Sequence, residues 1–518
     1  MSSSSESRKN TEETDVPYDE LLRLTRLQQE QIDELQHKLD WFQRQLFGRK
    51  SEKRLIESSE QGDLLAGEAK PPQAVEQETI AYQRRKGKKR RDDDCVADTG
   101  LRFDASVPVE TIEIVAPEIS VDVPAERISE KITYRLAQRP GSYVILKYVR
   151  PVLKQDGALI TAPAPVNVLE KSFADVSFLA GMLIDKFCYH LPLYRQHQRL
   201  AQAGITVSRG TLTELSKRAI ALLEPVVDAQ REHILQSRVL AMDETPIKAG
   251  RKQQGQMRQA YFWPIYGDSD EIVFSYAPSR AAAHVPAILG KNFQGTLLTD
   301  GFAGYEKYAA KAAACTHAAC WTHSRRYFSE ALKAEPQAAG EALTLIGELY
   351  RFEAEIREKR LTGLNKLEYR SQHSLPAVRA FWAWCYKQRQ RTDLLPSNPL
   401  AKALAYVWER REALEVYLSD PDVPIDTNHL ERALRPIPMG RKNFLFCWTE
   451  LGAKHVGIIQ SLLVTCRLHG VHPYTYLVDV LQRISQHPAK KVIELTPRVW
   501  KTLFADDPIR SDLETLRP

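Results

Sequence analysis

No apolar run in the 518 residues approaches the roughly 18 residues that cross a membrane, which excludes a helical membrane protein. Cysteine is scarce and unpaired in pattern: seven, at 95, 188, 315, 320, 385, 447 and 466. An odd, scattered set argues against a disulfide framework and for a reducing cytosol. Neither sign of charge dominates. The formal net charge is +6, with 27% charged and 43% hydrophobic residues, ordinary for a soluble globular chain. Any surface for nucleic acid must therefore be a local patch rather than a global excess. The Ser- and Glu-rich start has nothing of a secretion signal. These absences predict a cytoplasmic, soluble chain with no membrane partner, long enough for three or more domains.

What the chain does have is three well-placed carboxylates. Val239-Leu240-Ala241-Met242-Asp243-Glu244-Thr245 is a short apolar run ending in an acid, the way a buried strand delivers a carboxylate to its exposed end. Side-chain alternation predicts that Asp243 and Glu244 face opposite ways. Thr296–Thr299 followed by Asp300-Gly301 repeats the design, and Glu431 lies in the first turn of a helix opening near Asn428. Each has a plain alternative: a turn or cap before Thr-Pro, a turn pair, and a near capping box of Asn428 with Glu431. Two strand-end Asp residues and a helical Glu, in that order, are also what an RNase H-like sheet uses to hold two divalent metals.

The surrounding words carry a resemblance. Asp243-Glu244-Thr245-Pro246, Asp300-Gly301-Phe302-Ala303-Gly304-Tyr305, Cys320-Trp321-Thr322-His323-Ser324-Arg325-Arg326 and the run Asn428 to Asn443 are similar to the catalytic region of insertion-sequence-66-type (TnpC) DDE transposases. The likeness runs from about Leu46 to about His487. It implies an RNase H-like catalytic domain, a mixed sheet with flanking helices, in a multidomain α/β chain. It also implies Mg²⁺, with Mn²⁺ as substitute, held by Asp243, Asp300 and Glu431 for in-line attack on a DNA phosphodiester. The implied partners are double-stranded DNA, both element ends and target, and accessory proteins of the same element (TnpA and TnpB).

In chain order, residues 1–55 are expected to hold a coiled coil. Ile32, Leu35, Leu39, Phe42 and Leu46 alternate spacings of three and four, and this seam predicts a homo-oligomer. Residues 56–95 read as a linker whose run Arg84–Arg91 suits phosphates. Residues 96–165 read as a small β module. The resembled family places zinc-binding Cys-x-x-Cys pairs there, but no cysteine lies between Cys95 and Cys188, so apolar packing must hold it. Residues 166–235 read as a helix-turn-helix-like segment, with Ser208 as N-cap and Arg209, Thr211, Thr213 and Lys217 early on the second helix. Residues 236–323 read as the first part of the catalytic core, 324–420 as a helical insertion, 421–450 as the Glu431 helix and its surroundings, and 451–518 as a helical end.

Arg432 and Arg435 sit within a turn of Glu431 and temper its charge, while Arg441, Lys442, Arg435, Arg325 and Arg326 are candidates for DNA phosphate. Cys315-x-His317-x-x-Cys320-x-x-His323 could in principle hold zinc. Packing with an orienting hydrogen bond is the preferred reading of Cys320 and His323, so zinc is not expected. An inactive DNA-binding regulator, or an RNase H-like nuclease without strand joining, remains as an alternative.

Overall fold

Stretches rich in Val, Ile, Thr and Tyr suit a pleated, half-buried surface, and they build the first sheet. Its strands are β1 (Val109–Glu113), β2 (Glu126–Arg139), β3 (Ser142–Gln155) and β4 (Ala158–Thr161). The computed structural model describes residues 95–96, 100–114, 126–139, 141–155, 158–444 and 446–515. The expected coiled coil and the Arg84–Arg91 run lie outside them. The described residues among 77–485 and 493–518 form the larger of two compact units. All that follows concerns the larger unit.

β3 is central in the first sheet, parallel to β1 and antiparallel to β2 and β4. Ala137, Val144, Leu146 and Tyr148 bury one face together with Leu513, and the Tyr148 hydroxyl donates to Asp512 at 2.6 Å. The helices Val176–Phe187, Leu193–Gln202, Arg209–Leu222 and Glu224–Ile234 follow. Ser208 caps the third of these, accepting from the Thr211 backbone N–H at 3.0 Å. Gly204 breaks the chain before it at φ +78°, where a Cβ would lie 2.4 Å from the Asp104 carboxylate.

The second sheet is mixed and six-stranded, from β5 (Val239–Met242), β6 (Thr245–Gln253), β7 (Gln256–Tyr266), β8 (Ile272–Ala277), β9 (Gly295–Thr299) and β10 (Cys315–Ala319). The order is β8-β7-β5-β9-β10, with β6 pairing to β7. β7 runs antiparallel to β5 and β8, while β9 is parallel to β5 and β10. Every residue of β5 is buried, as expected of a strand covered on both faces. The helix His284–Leu289 lies between β8 and β9. β6 and the outer part of β7 were not foreseen: Pro246, Gly250, Gly255 and a run of glutamines hide any alternation.

At the edge strand β8 the backbone N–H groups of Ile272 and Phe274 donate to the hydroxyls of Thr465 at 3.3 Å and Ser461 at 2.9 Å. Both hydroxyls come from the Glu450–Leu468 helix, which so covers an otherwise open edge. Close approach needs Gly457, since a Cβ there would sit 2.4 Å from the Phe274 carbonyl oxygen. Leu462, Leu463, Tyr476, Leu477 and Leu481 are buried.

Between β10 and Glu431 the chain is helical from Trp321 to Ser419. Trp321, Phe328, Phe381, Trp382, Leu400 and Leu404 are part of its core. One charged pair lies inside this region. Arg370 is wholly buried and donates to Glu353 at 2.7 and 2.9 Å, and to the Tyr417 and Val423 carbonyls. Removing one partner strands the other charge without water. Glu353→Gln is therefore expected to weaken this region by about 3–5 kcal/mol, measured by hydrogen exchange across residues 336–423. A loss below about 1 kcal/mol would mean that the carbonyls alone satisfy Arg370.

Candidate active site

Because β5 and β9 are parallel neighbours, with Leu298 opposite Ala241, their carboxyl ends open on the same side of the sheet. Asp243 follows the last residue of β5 and Asp300 the last residue of β9. Open α/β sheets place ligands at such ends. Asp243 Oδ1 accepts from the Glu244 N–H at 2.7 Å, and Asp300 Oδ1 from the Phe302 N–H at 2.9 Å. Asp300-Gly301 is more than a turn pair. A Cβ on Gly301 would lie 2.4 Å from the Tyr406 ring, so this glycine lets the helical region close over the strand end.

Glu244 is where expectation and structure part. β5 ends at Met242, so strand alternation no longer governs the next two residues. Glu244 does not face away: carboxylate oxygens of Asp243, Glu244 and Asp300 all lie within 4.8 Å of one another. The Glu244 side chain is 2% exposed, takes the Tyr305 hydroxyl at 2.5 Å and Arg280 Nε at 2.5 Å. Arg280 in turn stacks over the Phe302 ring at 4.9 Å.

Glu431 arrives on the helix Asn428–Leu434, and the Cys320–His323 motif holds that helix in place. Cys320 Sγ accepts from the Thr427 N–H and hydroxyl, both at 3.3 Å. The Trp321 N–H donates to the Ile425 carbonyl at 3.1 Å, and the Thr322 hydroxyl to Asp426 at 3.1 Å. Asp426, rather than Asn428, caps the helix start, accepting from the Asn428 N–H at 3.0 Å. His323 is buried with Nε2 3.8 Å from Glu431, and burial holds its imidazole below the usual value. In the same run His317 bonds the Thr299 hydroxyl at 2.9 Å.

These pieces line an open cavity of about 690 Å³ that includes Asp243, Glu244, Asp300, His323 and Glu431. Arg280, Arg326, Arg432 and Arg435 add positive charge to its walls. Burial first, then the charges of Asp300 and Glu244, push the Asp243 carboxyl up to about 8. Other predicted residues lie apart from this lining. Arg325 and Lys442 are exposed, and Arg441 donates to the Pro246 carbonyl. Arg209 is exposed with its guanidinium over the Tyr194 ring, and Lys217 is 3.6 Å from Glu214. Sequence reasoning missed the roles of Glu244, Arg280, Tyr305, Asp426 and Thr427. Apart from the Asp426 cap on Asn428, their partners are far away in sequence, so no local pattern could have found them.

Carboxylates gathered at parallel strand ends, beside a set of arginines, are the chemistry of a site for a hard cation and an anionic ligand. The chain belongs to the Transposase IS66 family, whose profile matches residues 171–455. The IS66 C-terminal element matches residues 461–498, and the region described as Transposase C of IS166 homeodomain matches residues 34–112. Among curated relatives, Uncharacterized protein y4hP of Sinorhizobium fredii is 30% identical over 402 residues, covering 73% of this chain and 72% of that protein. Uncharacterized protein y4qI of the same organism is 30% identical over 412 residues, covering 75% of each.

The family implies use of a divalent metal, and the donor set fits one. All the clustered donors are carboxylate oxygens, and among the described residues Arg280 pairs with Glu244 while no cationic side chain forms an ion pair with Asp243 or Asp300. A test follows from Asp243. Its pKa in the fold, about 8, lies above its ordinary 3.8. Its contribution to stability is thus complete in acid and is lost as pH rises through about 8. A cation must also displace that proton. Added Mg²⁺ or Ca²⁺ at about a hundredfold its Kd is expected to stabilise the protein by about 2.7 kcal/mol at pH 8.5. The gain at pH 6, read by thermal unfolding, should be clearly smaller. An equal gain at both would show that Asp243 does not bind the cation.

Proposed function

We propose that this protein is a DDE transposase that binds the ends of an insertion sequence and catalyses divalent-metal-dependent strand cleavage and strand transfer. The observation that carries this reading is the meeting of Asp243 and Asp300 from adjacent parallel strand ends in one cavity that Glu431 also lines. The sheet order, with three antiparallel strands at one side and parallel β9 and β10 at the other, supports an RNase H-like core.

In this reading Asp243, Asp300 and Glu431 hold Mg²⁺, or Mn²⁺ in its place. Bound cations would lower the pKa of the attacking hydroxyl and neutralise the oxygen that leaves. The rest falls to the chain's own groups. Arg280, Arg326, Arg432 and Arg435 draw the scissile phosphate and its neighbours into the cavity and fix their direction. The Tyr305–Glu244–Arg280 chain orients Arg280, and the Cys320–His323 contacts keep Glu431 at the cavity. Water or a DNA 3′-hydroxyl attacks phosphorus in line, the bond to the opposite oxygen breaks, and that oxygen leaves on the departing strand.

DNA contact is assigned also to the helix-turn-helix-like pair Leu193–Gln202 and Arg209–Leu222, and self-association to the seam through Leu35 and Leu39. The direct test supplies duplexes bearing the inverted repeats that flank the gene, with Mg²⁺, with and without the element's accessory proteins. Cuts at the element boundary and joined products are expected. Binding without cutting would leave a DNA-binding regulator, and cutting without joining a nuclease.

A further inference from the structure

The β6–β7 hairpin plays no part in the acidic cavity beyond Thr245, yet its composition is unlike the rest of the chain. From Thr245 to Gly267 there are four cations, Lys248, Arg251, Lys252 and Arg258, and no carboxylate. Charged residues are 27% of the chain with nearly equal signs, so a one-signed segment of this length is a local basic patch. Its outer part also carries Gln253, Gln254, Gln256 and Gln259, all exposed. Gln253 pairs with Gln256 across a turn in which Gly255 takes φ +73°, and Lys248 pairs with Gln259.

Two of the cations brace the ribbon from below. Arg251 lies over the Trp448 ring at 5.3 Å, and Arg258 is 3.5 Å from Glu450. Among the described residues no ion pair or side-chain hydrogen bond engages Lys248 or Lys252, and both are exposed. The Gln259 amide donates to the Tyr261 hydroxyl at 2.8 Å. An unpaired lysine and the exposed amides of Gln253, Gln254 and Gln256 have different uses. The first suits a phosphate, and the second matches the paired donor and acceptor of a base edge.

Size decides which part of a nucleic acid such a ribbon fits. Arg251–Gln253 and Gln256–Arg258 extend the hairpin beyond Gly250, about 10 Å per strand at ~3.3 Å per residue. The major groove of B-form DNA is about 8.5 Å deep and about 12 Å wide and admits a two-stranded ribbon, whereas the minor groove, about 6 Å wide, does not. The root of the ribbon is at the cavity wall, since Thr245 lines the cavity and Arg441 holds the Pro246 carbonyl. DNA gripped by the tip is thereby tied to the acidic site.

We propose that the β6–β7 hairpin enters the major groove of duplex DNA, with Lys248 and Lys252 on phosphates and Gln253, Gln254 and Gln256 at base edges. This rests on the transposase reading and adds to it the element that reads sequence beside the cut. The test uses full-length protein in Ca²⁺, a duplex carrying one flanking inverted repeat, and a shuffled duplex of the same length. The double variant Lys248→Gln with Lys252→Gln should bind both duplexes more weakly. Its slope of log affinity against log salt should be smaller by about 1.8, two phosphates at about 0.9 each. The triple variant Gln253→Ala, Gln254→Ala and Gln256→Ala should keep the slope and lose about tenfold or more of the preference for the repeat. A major-groove dye should compete with wild type, and a minor-groove ligand should not. Cation-induced stabilisation of both variants should match wild type, which checks their fold. Slopes and preference equal to wild type in these variants would overturn the hairpin's role while the transposase reading stands. Wild-type protein that binds neither duplex would overturn both.

Discussion

Asp243→Asn, Asp300→Asn and Glu431→Gln are each expected to lower cleavage of element-end DNA by about a thousandfold or more. The amides keep size and shape but remove an anionic oxygen. Enzymes lower barriers by about 8–23 kcal/mol, and for phosphodiesters much of that depends on correctly held cations. Loss of one anchor worth about 4 kcal/mol gives the stated factor. Binding of the same DNA in Ca²⁺ should survive, because phosphate contacts belong to lysines and arginines. Asp243→Asn carries its own folding control. Its carboxyl is pushed up to about 8 by burial and its neighbours, so the uncharged variant should be no less stable than wild type without metal at pH 8.5. If all three variants cut at wild-type rates, these carboxylates are not the active centre.

How much of this was legible beforehand varied with distance along the chain. Asp243 and Asp300 were readable because a buried strand announces itself as an apolar run and the residue after it is exposed by geometry. Glu431 carried no such mark. The helical region from Trp321 to Ser419 separates it from β10, and its place at the cavity depends on Thr427 bonding Cys320 across that insertion. Cys320 was expected to pack with an orienting hydrogen bond, but nothing local named Thr427 as the residue it meets. β6 and the outer part of β7 were lost for the opposite reason. Their strand character comes from pairing with each other, and an exposed ribbon of lysine and glutamine has no hydrophobic period to detect.

Glu244→Gln is expected to slow end cleavage by about 10–100-fold, the usual cost of removing a group that orients the residues in contact with metal or substrate. The reason lies in its two donors. Glu244 accepts from Tyr305 on one oxygen and Arg280 on the other, both at 2.5 Å. An amide can accept from one of them but must turn its own N–H₂ toward the second, so either Tyr305 or Arg280 loses its hold. Arg280 is the member that lines the cavity and stacks on Phe302, so its displacement moves a positive charge away from the scissile phosphate. A purely structural role would not alter how the neighbouring acid titrates, and this one should. The Glu244 charge helps push Asp243 up to about 8, so the variant should narrow the difference in cation-induced stabilisation between pH 6 and pH 8.5. Tyr305→Phe, which leaves the Glu244 charge in place, should slow cleavage less and keep that pH dependence. Wild-type cleavage in Glu244→Gln would reduce Glu244 to packing. A loss as deep as that of Asp243→Asn would make Glu244 itself a metal ligand, in place of the positioning role its bonds to Tyr305 and Arg280 assign.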